Sequence, residues 1–143
     1  MLMCSVVFVL AVNRKIMPIL SSIASSPNSI VLAERIVDLD QDGRPERVVK
    51  IKNKNNISIQ VYELLENRGT IYTGLAGQYD IQSSEDGFIF YKSVITNLAF
   101  ADDNADGQVE IIVSFFDKNT KESSFMTLQW DKKQKTLRKM TKE

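Results

Sequence analysis

The sequence predicts an all-β, antiparallel domain made of two similar halves, preceded by an apolar N-terminal segment. Three observations carry that expectation. From Ile30 onward no stretch has helical periodicity, and short runs rich in Val, Ile, Phe and Tyr alternate with polar turn clusters. Two runs alternate strictly: Ile57, Ile59 and Val61 with Ser58, Gln60 and Tyr62, and Met126, Leu128 and Trp130 with Thr127 and Gln129. That period of two is the signature of a half-buried strand. Finally, an acidic segment beginning at Asp38, DLDQDGRPERVVKI, recurs 64 residues later at Asp102 as DDNADGQVEIIVSF.

The elements follow in chain order. Residues 1–12 are apolar, Asn13, Arg14 and Lys15 interrupt, and a weaker apolar stretch runs from Ile16 to Ala24. Neither run reaches the roughly 20 residues a membrane-spanning helix needs. With residues 13–15 as a basic n-region, Ile16 to Ile23 as a short apolar region and Ser22-Ile23-Ala24 as a small-x-small site, residues 1–24 read as a signal peptide. The competing reading is an N-terminal helix of the mature protein. Cys4 lies too near the start to suit a lipid-anchored cysteine. Ser25, Ser26, Pro27, Asn28 and Ser29 form a polar linker (25–29).

The β domain then spans 30–143, with repeats at about 30–75 and 94–143. Each copy opens with an apolar strand, Ile30 to Val37 or Val94 to Ala101. An acidic loop follows, then three strands separated by polar turns. Turn signals fall at 53–56, 67–69, 83–87, 117–122 and 131–135. A unit of about four short strands has the size of one propeller blade.

Composition narrows the chemistry. The 143 residues include no histidine and a single cysteine. Imidazole bases, Ser-His and Cys-His nucleophile pairs, thiolate zinc sites and an intrachain disulfide are therefore excluded. Carboxylates, hydroxyls and lysines remain, an inventory suited to hard cations. The net charge is zero, yet between Val31 and Glu110 fourteen acidic residues face eight basic ones. After Trp130 the balance reverses, with Lys132, Lys133, Lys135, Arg138, Lys139 and Lys142. These cations are expected to guard an edge strand. No aromatic stands among them to stack on a base, so nucleic acid is not an expected partner.

The repeated loops carry the chemistry. Counting Asp38 as position one places Asp40 at three, Asp42 at five, Gly43 at six, Arg44 at seven and Glu46 at nine. The second copy has Asp102, Asn104, Asp106, Gly107, Gln108 and Glu110. Oxygen side chains at alternate positions can point inward around one hard cation, and glycine permits the sharp turn. Arg44 and Gln108 would contribute backbone carbonyls. This is not an EF-hand, because position twelve is Val49 or Val113 and a strand-like run follows. The first loop, with three Asp and one Glu, is expected to bind calcium more strongly than the second, where Asn104 replaces an Asp.

DLDQDGRPE before VVKI, and DDNADGQVE before IIVSF, resemble the FG-GAP or VCBS-type repeats of integrin α-subunit propellers and many bacterial exported proteins. That resemblance covers about residues 30 to 143. It implies Asp38, Asp40, Asp42 and Glu46 as one Ca²⁺ ligand set, and Asp102, Asn104, Asp106 and Glu110 as the other. The Phe-Gly and Gly-Ala-Pro signatures of the family are absent, and two copies are fewer than the four to eight blades that close a ring. The expected architecture is thus a small incomplete propeller or sandwich. The expected function is a non-enzymatic, exported, calcium-binding β module with a structural or partner-binding role. Its partners would be a calcium ion, and a protein or a second copy; a membrane would be met only through the N-terminal segment. The alternatives are a carboxylate-based hydrolase using Glu63, Glu66, Glu85 or Asp86, and a calcium-independent cytosolic β domain.

Overall fold

The computed structural model describes residues 28–141, so the expected leader over 1–24 and most of the 25–29 linker lie outside the described residues. Within them the chain forms ten strands and no helix. They are β1 (Ile30–Val37), β2 (Glu46–Lys52), β3 (Ile57–Asn67), β4 (Thr70–Ile81), β5 (Ile89–Tyr91), β6 (Val94–Thr96), β7 (Leu98–Ala101), β8 (Glu110–Asp117), β9 (Glu122–Asp131) and β10 (Thr136–Lys139). Two four-stranded sheets, β1-β2-β3-β4 and β7-β8-β9-β10, are meanders of the same order, joined by the two-stranded β5-β6 hairpin. Every pairing is antiparallel, and neither sheet closes on itself.

Local chemistry explains the turns. Asn67 pairs with Thr70 across Arg68 and Gly69, both at positive φ, +50° and +76°. Tyr91 pairs with Val94 across Lys92 and Ser93, at +45° and +66°. Two central residues at positive φ match the twist of flanking strands. The second turn lacks the usual Asn-Gly, which hides the hairpin from sequence inspection. The strand expected over 94–101 is accordingly two strands. It breaks at Asn97, whose carbonyl accepts from Lys50 Nζ (2.9 Å) and whose side chain donates to Asp86 Oδ2 (2.7 Å).

The alternating strands place one shared core between the sheets. Val48, Ile57, Ile59, Val61 and Ile81 from the first meet Leu98, Ile111, Val113, Leu128, Trp130 and Leu137 from the second. Each such side chain removed from water contributes about 1.5 to 3 kcal/mol. Trp130 lies so close to Gly77 on β4 that a Cβ there would stand 2.5 Å from the indole. Only glycine leaves room for that contact.

A polar joint crosses the same interface. Lys50 on β2 is fully buried, and its ammonium donates to Asp86 Oδ1 (2.5 Å) and to the carbonyls of Asn97 (2.9 Å) and Ser114 (2.6 Å). Burial pushes its pKa down, against the pull of Asp86. A buried ammonium is tolerable because all three of its donors are used. Lys50 and Ser114 occupy equivalent positions of the two repeats, 64 residues apart.

Candidate metal-binding loops

The two acidic loops join the first and second strands of their sheets, and their backbones repeat one another. Gln41 and Ala105 have φ of +57° and +56°, and Gly43 and Gly107 have +83° and +84°. Asp38 accepts the N–H groups of Asp42 (3.1 Å) and Gly43 (2.8 Å); Asp102 accepts those of Asp106 (3.1 Å) and Gly107 (3.0 Å). Asp42 N–H also reaches Asp40 (3.3 Å), as Asp106 N–H reaches Asn104 (2.9 Å). Arg44 and Gln108 each donate a backbone N–H to the aspartate two residues before, both at 2.8 Å. Glu46 accepts Leu39 N–H (3.0 Å), and Glu110 accepts Asp103 N–H (2.8 Å). Asp and Asn side chains that bond backbone two residues on are what hold such turns. The sequence repeat is thus a repeat of hydrogen bonds.

The carboxylates converge. One oxygen each from Asp38, Asp40 and Asp42 lies within 4.8 Å of the others, and Asp102, Asp106 and Glu110 form a second such trio. Glu46 falls outside the first trio. All these donors are hard oxygens, the set a Ca²⁺ ion prefers.

The loops touch. Val109 N–H of the second donates to the Leu39 carbonyl of the first at 2.7 Å. Leu39 is buried, with its own N–H on Glu46. A concavity of about 610 Å³ joins the loops, lined by Asp40, Gln108, Gln129, Trp130, Lys132 and Arg138 among others.

Their surroundings differ. Lys132, from the β9–β10 turn, reaches the first loop: its Nζ lies 2.5 Å from Asp42 Oδ2, 3.1 Å from Asp40 Oδ2 and 3.7 Å from Glu46 Oε1. Hydrogen bonds to Asp42 and Asp40 hold the Lys132 pKa above its ordinary value, and the same contact leads the lowering at Asp42. The second loop meets neutral donors. Asn104 (3.0 Å) and Gln129 of β9 (2.9 Å) both give an amide hydrogen to Asp106 Oδ2. Glu110 is fully buried, and its Oε1 has no hydrogen-bond partner. Burial first, then the nearby Asp106 and Asp102, raise its pKa.

All ten residues singled out in the sequence fall in or directly beside these loops. Sequence inspection missed Lys132 and Gln129. Lys132 lies 90 residues from Asp42 within a lysine-rich run, so no local spacing marks it. Asp103 is exposed and stands outside the second trio. Among the candidate carboxylates outside the loops, Glu63, Glu85 and Asp86 are paired with Lys135 (3.1 Å), Lys118 (3.2 Å) and Lys50. Among the described residues no helix is long and apolar enough to cross a membrane. No family model matches the chain, and no curated protein matches it.

Proposed function

We propose that this chain is a calcium-binding β module without catalytic activity, exported to an extracytoplasmic compartment, with a structural or partner-binding role. One observation carries the reading: two loops of the same hydrogen-bonded shape, each converging three carboxylates, one of them holding a buried carboxylate oxygen with no partner. A cation placed among Asp102, Asp106 and Glu110 would satisfy that oxygen and offset the burial, and the lesser repulsion from Asp106 and Asp102, that raise the Glu110 pKa. The paired meanders suit two propeller-blade-like repeats packed as an incomplete propeller or sandwich. Export rests on the composition of residues 1–24. Extracellular calcium would fill a site of modest affinity, which suits an ion that stabilises a fold.

The test is a thermal melt of the full chain in EGTA and in millimolar Ca²⁺, beside an Asp38→Ala, Asp102→Ala double variant. The expected result is a calcium-dependent rise in Tm that the double variant lacks. Superimposable wild-type melts would defeat the reading.

A further inference from the structure

We propose that Lys132 is the resident cation of the first loop, so that the chain takes up one divalent ion, at the second loop, rather than two. The inference rests on the calcium reading above and reverses the order of strength that counting carboxylates suggests.

The Lys132 ammonium already sits on the oxygens an ion would need. It donates to Asp42 Oδ2, forms an ion pair with Asp40 Oδ2 at 3.1 Å and stands 3.7 Å from Glu46 Oε1. A Ca²⁺ ion binds oxygens at 2.3–2.6 Å, so an ion on these atoms would be forced against the ammonium, and the two positive charges repel. The ion would have to displace an ammonium tethered to the same chain, which competes at high effective concentration.

The tether is itself held. Asp131 Oδ1 accepts Gln134 N–H (2.9 Å) across the turn, and Lys135 of that turn pairs with Glu63 on β3 (3.1 Å). Trp130, two residues before Lys132, is locked into the core against Gly77. The second sheet thereby delivers a positive charge to the first sheet's loop.

No such delivery reaches the second loop. Among the described residues no lysine or arginine lies within 4.0 Å of a carboxylate of Asp102, Asp106 or Glu110. Its neighbours are the amides of Asn104 and Gln129, and an amide can turn its oxygen toward a cation. Glu110 Oε1, the counterpart of the Glu46 oxygen that faces the ammonium, is buried and unpartnered.

Each loop holds one glycine whose N–H donates to its first aspartate, Gly43 to Asp38 and Gly107 to Asp102. These amides serve as site-resolved reporters. The experiment is a CaCl₂ titration of the ¹⁵N-labelled full chain, run on wild type, Lys132→Met, Lys132→Gln and Glu110→Gln, each first shown to be folded in EGTA. In wild type, Gly107 should shift saturably while Gly43 stays, with one ion bound per chain. Both lysine variants should add a second ion and a saturable Gly43 shift. Glu110→Gln should weaken the Gly107 response at least tenfold. A wild-type chain that fills both loops, or folded lysine variants that still bind one ion, would overturn the lysine assignment and leave the calcium reading standing. No saturable shift in any of the proteins would overturn the calcium reading, and this inference with it.

Discussion

The first and second acidic loops have the same backbone and different company. Both fold through the same bonds from carboxylates to N–H groups two to five residues on. One then meets the ammonium of Lys132; the other meets two amides and keeps a carboxylate oxygen unpartnered. The lesson is a division of labour. Short-range sequence decides the shape of an acidic loop, and a side chain from the facing sheet decides whether its carboxylates meet a positive charge.

The largest expected effect breaks the joint where the two repeats meet. Lys50→Ala removes the ammonium shared by Asp86 and the Asn97 and Ser114 carbonyls and should cost about 3 kcal/mol in urea unfolding. Ser114→Ala, at the equivalent position, should cost only about 1 kcal/mol, since it removes a neutral hydroxyl bonded to the Gly87 carbonyl. Equal costs would mean that the charged partner contributes nothing special.

Calcium should separate the loops by a smaller margin. At one hundred times the dissociation constant an ion adds about 2.7 kcal/mol of stability. Glu110→Gln should cut that increment to about half or less, and Glu46→Gln should preserve it, as read from denaturation midpoints with and without Ca²⁺.

Smaller still is a pair that should not differ. Gly43→Ala and Gly107→Ala each put a Cβ into open space, so only the φ near +84° is penalised. Each should cost about 1 kcal/mol. A gap larger than that between the two would show that the loops are not the same scaffold.

The smallest effect concerns acid. The Lys132 contact, first among its causes, holds the Asp42 carboxyl below the ordinary aspartate range. Because the folded pKa is the lower one, this contribution is complete above about pH 4. It is lost as the pH falls through the folded value. In metal-free buffer, Lys132→Gln should move the Asp42 titration midpoint upward in a carboxyl-detected NMR titration. An unmoved midpoint would mean that Arg44 N–H alone sets it.

Much of this was legible in the sequence because it is local. Alternation at Ile57 to Val61 and at Met126 to Trp130 marks β3 and β9, and the recurrence at Asp38 and Asp102 marks both loops. Asn97 and the β5–β6 hairpin were hidden, because a Lys-Ser turn and a strand break held by Lys50 and Asp86 leave no periodic trace. The lysine-rich tail was legible only in part. β10 is indeed an edge strand, with Arg138 and Lys139 exposed. The same run also sends Lys132 to Asp40 and Asp42, Lys135 to Glu63 and Arg138 to Asp131. Which lysine finds a carboxylate depends on how the sheets face each other, and spacing along the chain does not encode that.

The bond from Val109 N–H to the Leu39 carbonyl gives one amide an unusual clock. Loop amides commonly trade hydrogen for deuterium through small local openings. This one is held by a residue buried in the opposite half. Its release requires the two loops to part, so it should exchange more slowly than the other amides of its loop. The two halves written separately in the sequence are thereby tied at their loops as well as through their common core.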